Sequence, residues 1–360
     1  MPDLNDELLK SLAQLSTGEQ VFLAALGGLF VLVYAYTVWI VLSGAVGWFR
    51  RRKRPGHGET WPVYPRRRWG RRRAAGDSPR RSRFWRGLRG ATLTLAVLGG
   101  LCALDAWFIE PYWAEVAHYE VYTDKLPASP KAIRVVHITD THCEEHSRLE
   151  DDLPALIRRE NPDLIVWTGD AANDFDGLWR FKRLMTQLAQ IAPTYGVRGN
   201  WDSGTPALLV GTGVTEVDGL PIDVTIRGAR ICVTGGAWNQ QRHTLRSLER
   251  ADPTRYIMFL NHAPDMLLHA EEAVMRDENP VAKPDIFFAG HTHGGQIRLP
   301  FYGALATRQK TDKLFADGVV DYNGTMVHVG RGIGMVGTMP RVRFFCRPEI
   351  AVIDIIGTGK

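Results

Sequence analysis

The sequence predicts an α/β domain behind two apolar spans, and three observations predict it. From Ile133 to Ala289, short apolar runs rich in β-branched residues alternate with stretches whose apolar positions recur at helical spacing. Five of those runs end at a residue able to hold a metal ion: Asp140, Asp170, Asn200, His262 and His291. Upstream, Val21 to Phe49 runs twenty-nine residues without a charge.

Residues 1–20 form a polar, mildly acidic segment. Residues 21–49 read as a first transmembrane helix, since roughly 20 apolar residues cross a bilayer. Residues 50–89 form an Arg-rich loop with sixteen Lys/Arg against Glu59 and Asp77, a net +14. The whole chain carries +5, so the remainder is −9. Residues 90–110 read as a second span, uncharged from Gly90 to Leu104 and meeting Asp105 near its end. Trp107, Tyr112 and Trp113 resemble an interfacial aromatic belt.

Short Lys/Arg-rich loops stay cytoplasmic. The chain is therefore expected in the inner or plasma membrane, with the loop inside, both termini outside and the body extracytoplasmic. Arg80-Arg81-Ser82-Arg83-Phe84 could instead open a twin-arginine export signal, which delivers the body to the same side. The loop could also touch anionic lipid headgroups. Nucleic acid is not expected as a partner, because topology already accounts for the charge. Cys102, Cys143, Cys232 and Cys346 are scattered and form no C-x-x-C pair, which argues against a zinc ribbon or a disulfide scaffold.

Residues 111–130 read as a linker and 131–360 as the folded domain. Within it Ile133–Thr139 is a strand, Leu149–Glu160 a helix, Asp163–Thr168 a buried strand and Leu178–Ile191 a helix. Strands follow at Tyr195–Arg198, Ile222–Ile226 and Ile231–Val233, then a helix near Leu245. Strands Tyr256–Asn261 and Asp285–Ala289 complete the pattern. The C-terminal strand ends of an open α/β sheet are where sites are built.

The chemistry lies in Asp140-Thr141-His142, Gly169-Asp170, Gly199-Asn200-Trp201-Asp202, His262 and Gly290-His291-Thr292-His293-Gly294. Singly, Asp-x-His is uninformative, Gly-Asp after a strand is usually a turn, and His262 or Asn200 would serve packing or a turn. Only Gly-His-Thr-His-Gly carries weight alone. Together they offer two carboxylates, one amide carbonyl and four imidazoles, with no thiolate. That donor set suits manganese, iron or zinc. Two cations held close together activate water and clamp both ends of an in-line phosphoryl displacement.

These motifs resemble the calcineurin-like metallophosphoesterase superfamily, over roughly Ile133 to Ile356. The run from Gly290 to Gln296, Leu299-Pro300-Phe301, the run from Gly330 to Gly334 and Arg347-Pro348-Glu349-Ile350 look like its membrane-associated YkuE/YaeI-type branch. The resemblance implies a four-layer α/β/β/α sandwich and two divalent metal ions. It implies that Asp140, His142 and His293 hold one ion, that Asn200, His262 and His291 hold the other, and that Asp170 bridges both. Asp140, Asp170, Asn200 and His262 are then the catalytic set.

One departure matters. Where the family has Gly-Asn-His, this chain has Gly199-Asn200-Trp201. An indole N–H donates a hydrogen bond but delivers no proton at neutral pH. General acid help is typically worth about 10²–10⁴-fold. Three explanations remain open: a substrate with a good leaving group, a substitute acid such as His146 or Arg198, or a domain that binds without turnover. Trp201, Arg198 and His146 are the candidate substrate contacts. His137 and His328 match no ligand position, and His137 is expected to be structural.

The expected function is hydrolysis of a phosphodiester or pyrophosphate, with a lipid-linked or envelope substrate suggested by the two spans. The alternatives are a UDP-2,3-diacylglucosamine pyrophosphatase-like enzyme of lipid A synthesis, whose cytoplasmic nucleotide conflicts with the topology, and a metal-binding sensor with little turnover. Cys143 is expected to be an inert loop cysteine.

Overall fold

The structure is a computed structural model. It describes residues 28, 32–40, 79–129, 131–238, 240–275, 281–307, 312–336 and 341–359. The polar segment 1–20, most of the first expected span and residues 50–78 of the Arg-rich loop lie outside the described residues. The chain divides into two units, residues 15–103 and residues 104–360 with 1–14.

In the first unit, residues 32–40 are helical. The Tyr34 hydroxyl donates to the Ala96 carbonyl at 3.4 Å. Ala96 lies on helix α1, Pro79–Phe108, which runs on into the second unit. Leu95, Val97, Leu98, Leu101 and Leu104 on α1 are all exposed, unlike the core helix of a soluble domain. Among the described residues one helix, Arg83–Tyr112, is long and apolar enough to cross a membrane. It covers the second expected span. Helix α1 starts well before Gly90, inside the stretch expected to be loop. Pro79 suits a first helical turn, and Arg, Leu and Trp sustain the helix through Gly87 and Gly90, which cost only about 1 kcal/mol each.

The second unit is built on two six-stranded sheets. The first contains β1 (Glu115–Pro127), β2 (Ile133–Ile138), β3 (Leu164–Trp167), β4 (Thr194–Gly196), β5 (Thr215–Glu216) and the last strand, β14 (Glu349–Gly359), in the order β1-β14-β2-β3-β4-β5. The second contains β6 (Ile222–Ile226), β7 (Ala229–Gly235), β8 (Tyr256–Leu260), β9 (Ile286–Ala289), β12 (Gly318–Tyr322) and β13 (Thr325–Val329), in the order β12-β13-β9-β8-β7-β6. A two-stranded ribbon, β10 (Arg298–Leu299) with β11 (Gly303–Ala304), lies apart.

The segment expected to be a linker is therefore mostly strand. β1 pairs in parallel with β14, from Glu115 opposite Glu349 to Thr123 opposite Gly357. Its sequence alternates polar with apolar residues, and Val121 and Leu126 turn into the core. Strand structure accordingly starts at Glu115, ahead of residue 131.

Strands β3, β8 and β9 read as continuous apolar runs because both faces of each sheet are covered. Val135, Leu164 and Val166 face Ile231, Met258 and Phe288 between the sheets. Val136, Ile165 and Trp167 point outward, under helices α2 (Leu153–Glu160) and α3 (Leu178–Ala189) through Ile157, Phe181 and Leu184. Ile257, Phe259 and Phe287 pack on the far side, under α4 (Gln241–Glu249) and α5 (Met266–Met275) through Leu248 and Leu267. The layers run helix, sheet, sheet, helix. Each fully buried Leu, Ile or Phe contributes about 1.5–3 kcal/mol. Helix α2 starts four residues later than Leu149 because Pro154, which lacks an amide proton, fits only its first turn.

Strands β2, β3 and β4 run parallel in the first sheet, and β8 and β9 run parallel in the second. Their C-terminal ends deliver Asp140, Asp170, Asn200, His262 and His291 to one place, as the site contacts below require.

Candidate metal centre

Two clusters of potential ligands form at that edge. Asp140, His142 and His293 offer ligand atoms within 4.8 Å of one another, as do Asp170, His262 and His291. In the first, His293 Nε2 lies 3.2 Å from Asp140 Oδ1, and the His142 and His293 rings stack at 5.0 Å. In the second, His262 Nε2 lies 3.2 Å from Asp170 Oδ2 and 3.0 Å from His291 Nδ1. Asn200 Oδ1 adds to this cluster, 2.9 Å from His291 Nδ1. Asp170 Oδ2 also lies 3.4 Å from His142 Nε2, so this carboxylate reaches both clusters.

The backbone is bent to make this arrangement. Asp140, His142, Asp170, His291 and His293 all have positive φ, between 38° and 70°. Each such non-glycine residue costs about 1–3 kcal/mol, a strain that concentrates at functional sites. Two glycines make the close approaches possible. A Cβ at Gly199 would strike the Asp170 carboxylate, and one at Gly290 would strike Thr139 and Asp140.

The donor chemistry fits a cation in each cluster. Both ring nitrogens of His142 and Nδ1 of His293 are buried without a hydrogen-bond partner. A buried polar atom left so costs about 1–3 kcal/mol. His262 Nδ1 approaches the Thr168 carbonyl at 2.7 Å, so it carries the proton and donates. Nε2 then faces a carboxylate and another ring nitrogen, so it either holds a second proton or, once deprotonated, turns a lone pair to a cation.

The titration directions agree. Burial pushes the Asp140 carboxyl up, but the charge and hydrogen bond of His293 overcome it and hold it well below the usual range. Asp170 behaves likewise under His262 and His142. Burial opposes protonation of His262, yet the Asp170 carboxylate raises it to about 9. Burial pushes His291 down to about 3 and His293 down to about 4. The two carboxylates thus call for positive charge at the site, which a proton on His262 meets, while His291 and His293 are held neutral.

Supporting groups went unread in the sequence. Asp202 accepts from the backbone N–H groups of Gly199 at 2.7 Å and of Asp170 and Ala171 at 2.9 Å, tying the β3 and β4 loops together. Burial and the Asp170 charge push its carboxyl up to about 6. Its position three residues after Gly199 was the available signal, a side chain closing a one-turn cap. Arg343 is fully buried, and its guanidinium donates to the carbonyls of Cys346, Arg331, Gly332 and Gly334. Gly334 N in turn donates to the Asp140 carbonyl at 2.7 Å. No local pattern marks an arginine so far along the chain.

The three substrate-contact candidates divide. Trp201 N donates to Asp170 Oδ1 at 2.9 Å, and its ring meets His142 edge-on at 5.4 Å. The Arg198 guanidinium is turned to Glu216, 2.6 Å away, and to the Pro206 carbonyl. The His146 side chain is 91 % exposed and lies 4.0 Å from Glu145. A second tryptophan that the sequence reading passed over, Trp238, lies 6.4 Å from the His291 ring. Cys143 is fully buried, and burial pushes its thiol up, which suits an inert cysteine.

The calcineurin-like phosphoesterase family model matches residues 133–295, which hold both clusters. The chain is 27 % identical over 305 residues to the uncharacterized metallophosphoesterase YkuE of Bacillus subtilis, covering 78 % of this chain and 98 % of that protein. It is 28 % identical over 284 residues to the phosphodiesterase YaeI of Escherichia coli, covering 75 % and 97 %. The chain belongs to the calcineurin-like metallophosphoesterase superfamily. Within it the chain falls in the branch that includes YkuE and YaeI, and it is a metal-dependent phosphoric ester hydrolase. These similarities do not favour a lipid A pyrophosphatase or a sensor without turnover.

Proposed function

We propose that this protein is a membrane-attached phosphoesterase that hydrolyses a phosphodiester or pyrophosphate, with a lipid or envelope substrate. In this reading Asp140, His142 and His293 hold one divalent ion. Asn200, His262 and His291 hold the second, and Asp170 serves both. Manganese, iron and zinc all suit the donors. The observation that carries the reading is the position of Asp170 Oδ2, within 3.4 Å of ring nitrogens from both clusters.

When bound, a pair of divalent ions would activate water and stabilise charge on the phosphoryl oxygens. The remaining work falls to the chain. Thr168 fixes the tautomer of His262 through its carbonyl. Asp202 holds the loops that aim Asp170 and Asn200. Trp201 N fixes one Asp170 oxygen, leaving the other directed at the histidines. Trp201 cannot protonate a leaving group, Arg198 is held by Glu216, and His146 points to solvent. The reading therefore favours esters whose leaving group departs without an acid.

Attachment rests on the apolar helix Arg83–Tyr112 and on the uncharged run 21–49, which together would place the body outside the cytoplasm. A reporter fused after Lys360 distinguishes the two sides. The activity test uses the full chain in detergent, stripped of metal and reloaded with Mn²⁺, Fe²⁺ or Zn²⁺. Bis-p-nitrophenyl phosphate should be cleaved only after reloading. Hydrolysis indifferent to metal, or none with any ion across diesters and pyrophosphates, would refute the proposal.

A further inference from the structure

Beside the metal centre a cleft of about 320 Å³ opens between the loop after Asp170 and the loop after Asn200. Phe175, Leu178 and Trp201 supply its apolar wall, and Asn200 lines it too. Phe175 is 84 % exposed, an unusual position for a phenyl ring with no partner to cover it. No Lys, Arg or His lines the cleft, and its charged residues are Asp174 and Asp202. Both carboxylates are committed to backbone N–H groups, Asp174 to Gly177 and Asp202 to three others.

We infer that this cleft is the subsite for a neutral, apolar or aromatic organic group of a phosphodiester, and that it disfavours a second phosphate. The inference rests on the phosphoesterase reading and narrows its substrate class. A second phosphate placed there, past the metal positions, would bring negative charge beside two acids with no basic side chain in the lining to meet it. A phenyl or acyl-bearing group would instead cover Phe175 and the Trp201 ring. Trp201 both lines the cleft and meets the His142 ring edge-on, so it links the organic group to the ligand cluster. The residue that removes a proton donor from the site thus adds an apolar wall to it.

Gly204 provides the test. It lines the cleft, a Cβ there meets nothing within 4 Å, and its φ is not positive, so a side chain can enter without strain. The affinities of diphenyl phosphate, dimethyl phosphate and inorganic pyrophosphate are measured by titration on the full, metal-loaded chain. The wild type should favour diphenyl over dimethyl phosphate by about tenfold or more, in the range a single apolar pocket supplies. Gly204→Phe, which fills the cleft, and Phe175→Ala, which strips its wall, should each erase most of that preference and leave dimethyl phosphate unchanged. A wild type without the preference, a preference untouched by both variants, or pyrophosphate binding that Gly204→Phe weakens would overturn the inference. The readout is binding, so a chain that hydrolyses no ester defeats the phosphoesterase reading while the ratio still decides this one.

Discussion

His137 Nδ1 and His328 Nδ1 meet at 2.7 Å, one ring from each sheet. Two ring nitrogens so close share one proton, one donating and the other accepting. His137 Nε2 continues the chain to Thr168 Oγ1 at 2.8 Å, beneath the carbonyl that orients His262. The pair is thus a polar rivet through the apolar middle of the sandwich, one residue from the site's supporting layer.

That rivet makes stability fall in acid. Burial, and then the charge of His328, hold His137 well below its ordinary value of 6.5, and burial lowers His328 as well. Unfolding releases both rings to about 6.5. Below that pH the unfolded chain takes up protons that the folded chain refuses, so stability is complete above about 6.5 and drains away below it. His328→Asn keeps a donor for His137 and removes one titration. The thermal midpoint of this variant should fall less steeply between pH 7 and pH 5.5 than that of the wild type. Equal slopes would show that the pair does not titrate on unfolding.

Asp202 is expected to matter as much as a ligand although it touches no metal position. Asp202→Asn keeps the size of the side chain but replaces a charged double acceptor that serves three N–H groups. Loss of charge-assisted hydrogen bonds and an unmet donor should cost about 2–4 kcal/mol. Both unfolding in urea and metal retention should suffer. A variant with wild-type stability and metal content would mean that Asp170 and Asn200 are aimed by their own turns.

Glu110 joins the end of the apolar helix to the site. Its carboxylate accepts from the backbone N–H of Phe345 at 2.8 Å and from that of Cys346. Cys346 Sγ donates to the His293 carbonyl at 3.2 Å, and Arg343 N donates to the Ala106 carbonyl at 3.0 Å. Glu110→Ala should cost about 1–3 kcal/mol through the two orphaned donors. A chain cut to begin at Ala114 should be less stable than one beginning at Leu104, measured by thermal unfolding. Equal midpoints would make the helix a tether only.

The sequence read the interior of the sandwich well, and for a physical reason. Strands such as Leu164–Trp167 and Ile286–Ala289 are buried on both faces, so nearly every residue is apolar and turn residues bound them. The edge was not legible. β1 is half polar and pairs with β14 more than two hundred residues away, a partnership no local window contains. The grouping of the candidate ligands was legible because each of the segments that carry them follows a strand end. The positive φ values of Asp140, His142, Asp170, His291 and His293 were not, since Asp and His adopt that region more often than most residues but still uncommonly, and only the close approach of the loops selects it. The cleft wall at Phe175 was invisible for a related reason, since an exposed phenylalanine looks like any other until the loop around it is placed.

The account stands on Asp170 serving two metal positions at once, and the direct measurement is metal content with turnover in Asp170→Asn. The amide keeps the shape and removes the charge. The account predicts about two ions per wild-type chain and clear loss of bound metal in the variant, with turnover of bis-p-nitrophenyl phosphate down at least about a hundredfold. A variant that keeps its metal and its full rate would contradict it.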